Sequence, residues 1–340
     1  MRLPRRAALT GLLAAPVLLR PGSLRAAPRV LKISHQFPGG TIDQGDFRDR
    51  LVRRFAAEVQ QRTNNELSFE IHPAAMLVKT VAQFSALRRG ALDFTLYPLA
   101  YAGGEVPEVN IGLMPGLVTS WQQALAWKAA EIGARLTDTL EQRGVKIITW
   151  IWQSGGVVSR AGAVVRPDDV KGLKIRGGSR EMDLMLKGAG GVISAVPSNE
   201  IRPAMQSGAI DAAITSSTTL ISFRMEEVGK AVTTASKGSF WFMFEPLLMS
   251  KAIHDSLPAD QQKAISEVGA SLEAFALDRA KADDIELASV FGRAGAKVAA
   301  FDAPALQQWQ DIARETAWKD FAARGASCAE LLTLAGKVPG

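Results

Sequence analysis

The chain has almost none of the parts from which a catalytic or metal centre is usually assembled. It holds one cysteine, Cys328, in 340 residues. One cysteine closes no disulfide within the chain and builds no thiolate metal site. The three histidines, His35, His72 and His254, are far apart and have no ligand spacing. There is no G-x-x-x-x-G-K-[ST] phosphate loop and no G-x-S-x-G elbow. Asp168-Asp169 and Asp283-Asp284 are adjacent acids, and sequence neighbours on a helix or turn do not converge on one point, so both pairs read as solvated. No nucleophile, base and oxyanion site come together. The expectation is a protein that is not an enzyme and needs neither metal nor cofactor.

A dense basic run and a long apolar run are missing too. The formal charge is +6, but Arg2, Arg5, Arg6, Arg20 and Arg25 stand in the first 25 residues with no acid among them. Without that segment the net charge is about +1, so the pI of about 9.5 is no argument for nucleic acid. Arg5-Arg6 leads into the apolar stretch Ala7–Leu19, with small residues at Ala26-Ala27. Those are the parts of an export signal over residues 1–27. The stretch is shorter than the roughly 20 residues that span a bilayer. The paired arginines are those of a twin-arginine signal; a Sec signal with two adjacent arginines has the same parts. The expectation is a protein that is exported, periplasmic and not membrane-spanning.

What is present is a globular composition, 47% hydrophobic and 22% charged, in an α/β order. Strands are predicted at 30–34, 67–72 and 92–96, with helices over 46–63, 81–89 and 121–143 and a β-rich run at 145–152. Strand–helix alternation of this kind points to a largely parallel sheet. A second unit starts near Gln153, with strands at 157–159, 173–176 and 210–215 and helices at 180–188 and 199–207. An aromatic β-rich run at 240–249 precedes a long helical pattern from about 257 to 292. The spacing predicts two units joined by several chain crossings, not by one tether.

Within this frame one series of segments is specific. Pro167-Asp168-Asp169-Val170-Lys171-Gly172-Leu173-Lys174-Ile175-Arg176 is followed by Gly188–Gly190, Val196–Ile201 and Ala204–Ala213. Earlier come Arg62–Pro73, Leu87–Phe94 and Tyr101–Glu108, and later Leu248–Lys251 and Leu257–Gln262. In kind and order these resemble the DctP-type substrate-binding proteins of tripartite ATP-independent periplasmic (TRAP) transporters, over about residues 30–300. The resemblance implies a two-lobed periplasmic binding protein fold, with a ligand cleft between domains and a long helix spanning both. Residues 28–152 plus about 240–280 are assigned to lobe I, and 153–239 plus about 281–335 to lobe II. It implies a small organic acid as ligand and the small and large membrane subunits of a TRAP permease as partners. The alternative reading is a periplasmic ligand sensor feeding a membrane histidine kinase; neighbouring permease or kinase genes would distinguish the two.

In that family the arginine of the Gly-Leu-Lys-Ile-Arg segment holds the ligand carboxylate, and Arg176 has that place. A guanidinium at a strand end can grip a carboxylate with two parallel hydrogen bonds. Arg160 follows the 157–159 strand, near where many members carry a second arginine. Where many members carry an Asn, this chain has Ile214 or Thr215, and of these only Thr215 offers a side-chain hydrogen bond. Arg202 stands where an aromatic is common. The candidate pocket wall is aromatic: Phe37, Tyr97, Tyr101, Trp152, Trp241 and Phe244 follow strands or lie on the crossings. His35 ends the first strand, where α/β ligands tend to sit.

Overall fold

A computed structural model describes residues 28–340; the export signal expected over 1–27 lies outside the described residues. In chain order the strands are β1 (Arg29–His35), β2 (Leu67–His72), β3 (Phe94–Leu96) and β4 (Val145–Thr149). Next come β5 (Trp152–Gln153), β6 (Gly155–Ser159), β7 (Lys174–Arg176), β8 (Val192–Ile193) and β9 (Ala212–Ser216). The last are β10 (Ala231–Thr234), β11 (Met243–Phe244), β12 (Leu247–Ser250) and β13 (Lys297–Ala300). They form a five-stranded sheet β2-β1-β3-β12-β4, a six-stranded sheet β13-β10-β6-β9-β7-β8, and the small pair β11-β5 between them.

Each large sheet is the centre of a lobe. In lobe I the Phe47–Arg62 helix is capped by Asp46, whose side chain accepts from the Arg48 amide at 2.9 Å. Its Phe47, Leu51, Phe55 and Val59 line up on one face and are buried in one core with Leu31, Ile33 and Phe94 of the sheet. In lobe II Val157, Ile175 and Ala212 of the sheet bury against Met182, Met185 and Leu186 of the Arg180–Gly188 helix. Each sheet is largely parallel with one strand reversed. In the lobe II sheet β6 alone opposes the other five. In the lobe I sheet β2, β1, β3 and β4 run one way, and only β12 runs against them, antiparallel to both β3 and β4. Its direction is set by its arrival from the other lobe, which local alternation does not encode.

Four segments cross between the lobes. Two are the extended stretches through β5 and β11. The third is the helix Glu273–Arg293, which buries Ala276 and Ala280 in the lobe I core and Leu287 and Phe291 in lobe II. The single long helix expected from about 257 is thus two, Ala259–Ser271 and Glu273–Arg293, parted at the buried Leu272. The fourth crossing divides a stretch assigned above to lobe II alone. Trp309 and Ala313 pack in lobe II, whereas Phe321, Cys328, Leu331 and Ala335 pack in lobe I. Between these groups lies a π-helical turn, Arg314–Trp318, a common form of irregularity at functional points of helices.

The 121–143 helix is broken as well, into Trp121–Ala126 and Glu131–Gln142, with Ala130 extended. Trp127 is fully buried there, edge-on to Trp152 at 5.1 Å. Packing of that indole, not a Gly or Pro signal, ends the helix. Strands β10 and β13 and the Ser217–Ser222 helix have no counterpart in the sequence reading. Among the described residues no helix is long and apolar enough to cross a membrane.

Candidate functional site

β7 ends at Arg176, opposite Ala213 of the parallel strand β9. Gly177 and Gly178 follow, then Ser179, whose hydroxyl caps the Arg180–Gly188 helix by accepting from the Met182 amide at 3.0 Å. Gly178 has φ +100°, and a Cβ there would stand 2.6 Å from Arg176 Nη1. Only glycine lets the chain turn there and the guanidinium lie across it.

The Arg176 side chain is 4% exposed, and its bonds all go to neutral oxygens. Nε donates to the Val196 carbonyl at 3.0 Å, Nη1 to the Ile214 carbonyl at 2.7 Å, and Nη2 to the Tyr101 hydroxyl at 2.7 Å. A guanidinium has five N–H donors. Three are engaged, which leaves one N–H on each terminal nitrogen. Two acids are near enough to feel the charge without gripping it. Asp183 accepts from the Gly177 amide at 3.2 Å, and Glu245 is held by Arg48 and Gln153. Burial pushes Asp183 up to about 6, although Arg176 and the Gly177 amide pull the other way.

Tyr101 reaches this arginine from lobe I. Its hydroxyl oxygen also accepts from the Ser198 amide at 2.9 Å, and Thr80 of lobe I donates to Asn199 of lobe II at 3.2 Å. The lobes are therefore closed on each other. Two cavities meet at Tyr101 and Gly178. The outer one, about 210 Å³, is walled by Val81 and Ala100 from lobe I and by Ser179, Asp183 and Val196 from lobe II. The inner one surrounds Arg176 with Thr215, Trp241, Leu113 and Met243, and at about 10 Å³ has room for about one water.

A second buried guanidinium lies at the root of the cleft. Arg48 donates to Asp46 at 2.7 and 2.9 Å, to Glu245 at 3.2 Å and to Thr219 of lobe II at 3.1 Å. Its guanidinium also stacks 3.6 Å from the Phe37 ring centre. Burial works against its charge, and Asp46 and Glu245 more than restore it, so its pKa stands above the ordinary value. Burial also pushes Glu245 up to about 7, with Arg48 pulling it down.

Of the residues singled out from sequence, the structure brings Arg176, Tyr101, Thr215 and Trp241 together, and Arg160, His35, Phe37, Tyr97 and Trp152 lie elsewhere. Arg160 follows β6, which runs antiparallel to β9, so it emerges where β9 begins, at the opposite end of the strands from the Arg176 side. It is 40% exposed and faces Asp211 at 4.0 Å. His35 is paired with Asp49 at 3.1 Å inside lobe I. Phe37 is core beneath Arg48. Tyr97 lies behind Tyr101, edge-on at 5.9 Å. Trp152 packs on Trp127 and Phe244. Each of the five is positioned by a partner that local sequence does not reveal.

Three cleft residues were missed or undervalued. Tyr101 was one aromatic among several, yet it is the one on the guanidinium. Asp183 carried no signal. Gly178 had one, the Gly177-Gly178-Ser179 run between a strand end and a helix. Gln36, one residue beyond β1, is buried with both amide atoms unpartnered, and at the inner cavity the buried Trp241 indole N–H is unpartnered too. Among the described residues no group of three or more His, Cys, Asp or Glu is placed to hold a metal.

The sequence profile of bacterial extracellular solute-binding proteins, family 7 (DctP), matches residues 43–324. A solute-binding protein of Albidiferax ferrireducens is 60% identical over 310 residues, covering 91% of this chain and 92% of that protein. The C4-dicarboxylate-binding periplasmic protein DctP of Rhodobacter capsulatus is 25% identical over 280 residues, 82% of this chain and 81% of its own. Among solved structures, a TRAP periplasmic solute-binding protein from Rhodoferax ferrireducens with bound malonate matches with a TM-score of 0.90 at 60% identity. That match covers 91% of this chain and 98% of the other. DctP7 of Bordetella pertussis, an extracytoplasmic solute receptor binding pyroglutamic acid, matches at 0.81 with 22% identity, over 91% of this chain and all of its own, a likeness of fold alone.

Proposed function

The chain belongs to the DctP family of bacterial extracellular solute-binding proteins, and on that footing we propose that it captures a small carboxylate on Arg176 and closes its lobes over it. The family is one of substrate-binding receptors of transporters, not of enzymes. The loaded protein would then dock, in the periplasm, on the small and large membrane subunits of a TRAP permease.

The observation that carries the assignment is that Arg176 is buried with no carboxylate bonded to it. A buried guanidinium without an ion pair is costly to keep. Here two N–H groups remain on its terminal nitrogens after three bonds to neutral oxygens. A carboxylate meets that fork with two charge-assisted bonds. The Thr215 hydroxyl and the Trp241 indole N–H, both at the same cavity, supply further polar contacts, while Leu113 and Met243 form the apolar wall. The outer cavity of about 210 Å³ is below the size that takes drug-like ligands, which suits a cargo of metabolite size. The inner cavity is too small to load while closed, so the lobes part to admit the ligand. The ligand then shifts the balance by binding the closed form better.

The malonate bound to the 60% identical relative makes malonate the first probe. Calorimetry on protein lacking residues 1–27 is expected to give saturable one-to-one binding of malonate or of another small carboxylate from a panel including succinate and pyroglutamate. Binding of neutral or cationic solutes, with the whole carboxylate panel silent, would overturn the assignment.

A further inference from the structure

Beside the cleft four residues close a ring between the lobes. Asn110 of lobe I donates to Glu181 Oε1 of lobe II at 2.9 Å. Arg324, near the end of the fourth crossing, donates to the same oxygen at 3.0 Å and to the Gly103 carbonyl at 3.1 Å. The Asn110 side chain lies so close to Gly103 that a Cβ there would meet Oδ1 at 1.8 Å, which closes the ring. A second ion pair runs alongside, Arg180 to Asp320 at 2.8 and 3.0 Å. Asp320 and Arg324, one helical turn apart, thus present minus and plus to the plus and minus of Arg180 and Glu181.

The ring lies close along the chain to both halves of the anion site. Gly103 is two residues beyond Tyr101, and Glu181 is five residues beyond Arg176. We infer that Arg324 is a positioning residue for ligand capture, holding the Tyr101 loop and the Arg176 strand end in register without touching the ligand. Such constellations need placement to within about 0.5 Å, and spans this short pass on a displacement of either anchor.

The energetics favour a single register. Glu181 is fully buried, and burial pushes its carboxyl above the ordinary range while Asn110 and Arg324 pull it down. Without Arg324 the acid loses its bonded cation and keeps the Asn110 amide, its own backbone amide and the more distant Arg180 charge, and the Gly103 carbonyl loses its donor. An unpaired buried acid protonates or draws in water. Either change frees the loop to shift against the helix.

The inference rests on Arg176 being the anion anchor, so the test reads the ring in two ways. In Arg324→Ala the malonate Kd, by calorimetry, is expected to rise at least tenfold. The melting temperatures with and without malonate should then fall by different amounts. A residue with a merely structural role would lower both melts equally and leave Kd within twofold, and that result would overturn the inference. The second reading needs no ligand: pulsed EPR between labels at Gln61→Cys and Lys187→Cys, exposed positions on opposite lobes. A broader distance distribution in ligand-free Arg324→Ala supports the ring, and an unchanged one refutes it. Should wild-type protein bind no malonate or other carboxylate, the anchor assignment fails and the EPR comparison alone decides. If Arg324→Ala does not fold, Glu181→Gln keeps the acceptor and the shape but not the charge. It is expected to weaken malonate binding in the same direction, and wild-type affinity in that variant would count against the ring.

Discussion

Replacing Arg176 with methionine separates anchoring from folding, because methionine fills much of the same volume without charge or donors. The bound ligand would lose two charge-assisted hydrogen bonds, each worth about 1.5–3 kcal/mol. Together that is roughly 3–6 kcal/mol, a rise in Kd of about 10²- to 10⁴-fold. The ligand-free protein faces two opposed changes. The Val196 and Ile214 carbonyls lose their donor, at about 1–3 kcal/mol each if they stay dry. Against this, a buried charge with no ion pair is removed, which relieves several kcal/mol of desolvation. The melting temperature of the ligand-free variant should therefore move by only a few degrees. A thermal melt with and without ligand reads both quantities. At about 1,000 times Kd the ligand stabilises wild type by about 4.1 kcal/mol, a shift of roughly 4–8 °C for a chain of this size. The Arg176→Met protein should show a shift of about 2 °C or less at the same concentration, because the ligand is then at only about 10 times Kd or below. A variant that keeps the wild-type shift and a Kd within threefold would refute the anchor role, whatever its fold.

Three further outcomes follow from the geometry. Gly178→Ala places a Cβ 2.6 Å from the guanidinium at a φ of +100°, and calorimetry should find ligand affinity reduced about 100-fold, roughly 3 kcal/mol. Arg160→Ala, at the far end of the lobe II strands, should leave Kd within twofold; a large loss would return Arg160 to the site. The third outcome is a pH dependence. Burial raises Asp183 and Asp283 to about 6 and Glu245 to about 7, so the folded protein holds these protons more tightly than the unfolded chain. That stabilisation is full below the unfolded values near 4 and is lost as pH rises through 6 to 7. The ligand-free protein should therefore be more stable at pH 5.5 than at pH 8, by on the order of 2 kcal/mol in urea titrations, and equal or lower stability at pH 5.5 would contradict these acids' placement.

The parts of the fold legible in sequence are those determined within one element. The 67–72 strand and the 180–188 helix were placed where β2 and the Arg180–Gly188 helix lie. One has clean alternation, and the other has Ser179 as cap and Gly190 beyond its end. Arg176 was singled out differently, by the likeness of its Gly-Leu-Lys-Ile-Arg segment to the DctP family, since the residue type alone fits a structural salt bridge as well. What was illegible was set by partners distant in sequence. The antiparallel course of β6 decides that Arg160 points away, and that course is dictated by β5 and the crossing before it. Trp152 belongs to the core because Trp127 is opposite it, and the helix break at Ala130 has the same cause. The return of the last helix, Ala326–Gly336, to lobe I depends on Leu331 and Ala335 meeting Leu136 and Leu140, a match that no local period announces.

The two buried arginines of the cleft act as each other's control. Arg48 is fully buried and has two carboxylates, Asp46 and Glu245, within hydrogen-bond reach, plus an aromatic ring beneath it. Its charge is neutralised within the protein, with four of its five N–H donors engaged. Arg176 is nearly as deep, in the same low-dielectric surroundings, and is partnered by two carbonyls and a phenol. The chain supplies acids nearby, Asp183 and Glu245, yet turns both toward other donors. A protein that only needed to solvate Arg176 could have paired it as it pairs Arg48. On the proposed role, leaving the charge hydrogen-bonded but not neutralised would lower the stability of the ligand-free closed form and leave a place for an anion. Binding energy that would otherwise be satisfied internally is then released only when a carboxylate arrives. This is how a ligand comes to favour closure over opening, and it requires that the anion-free protein spend more of its time open than the bound one.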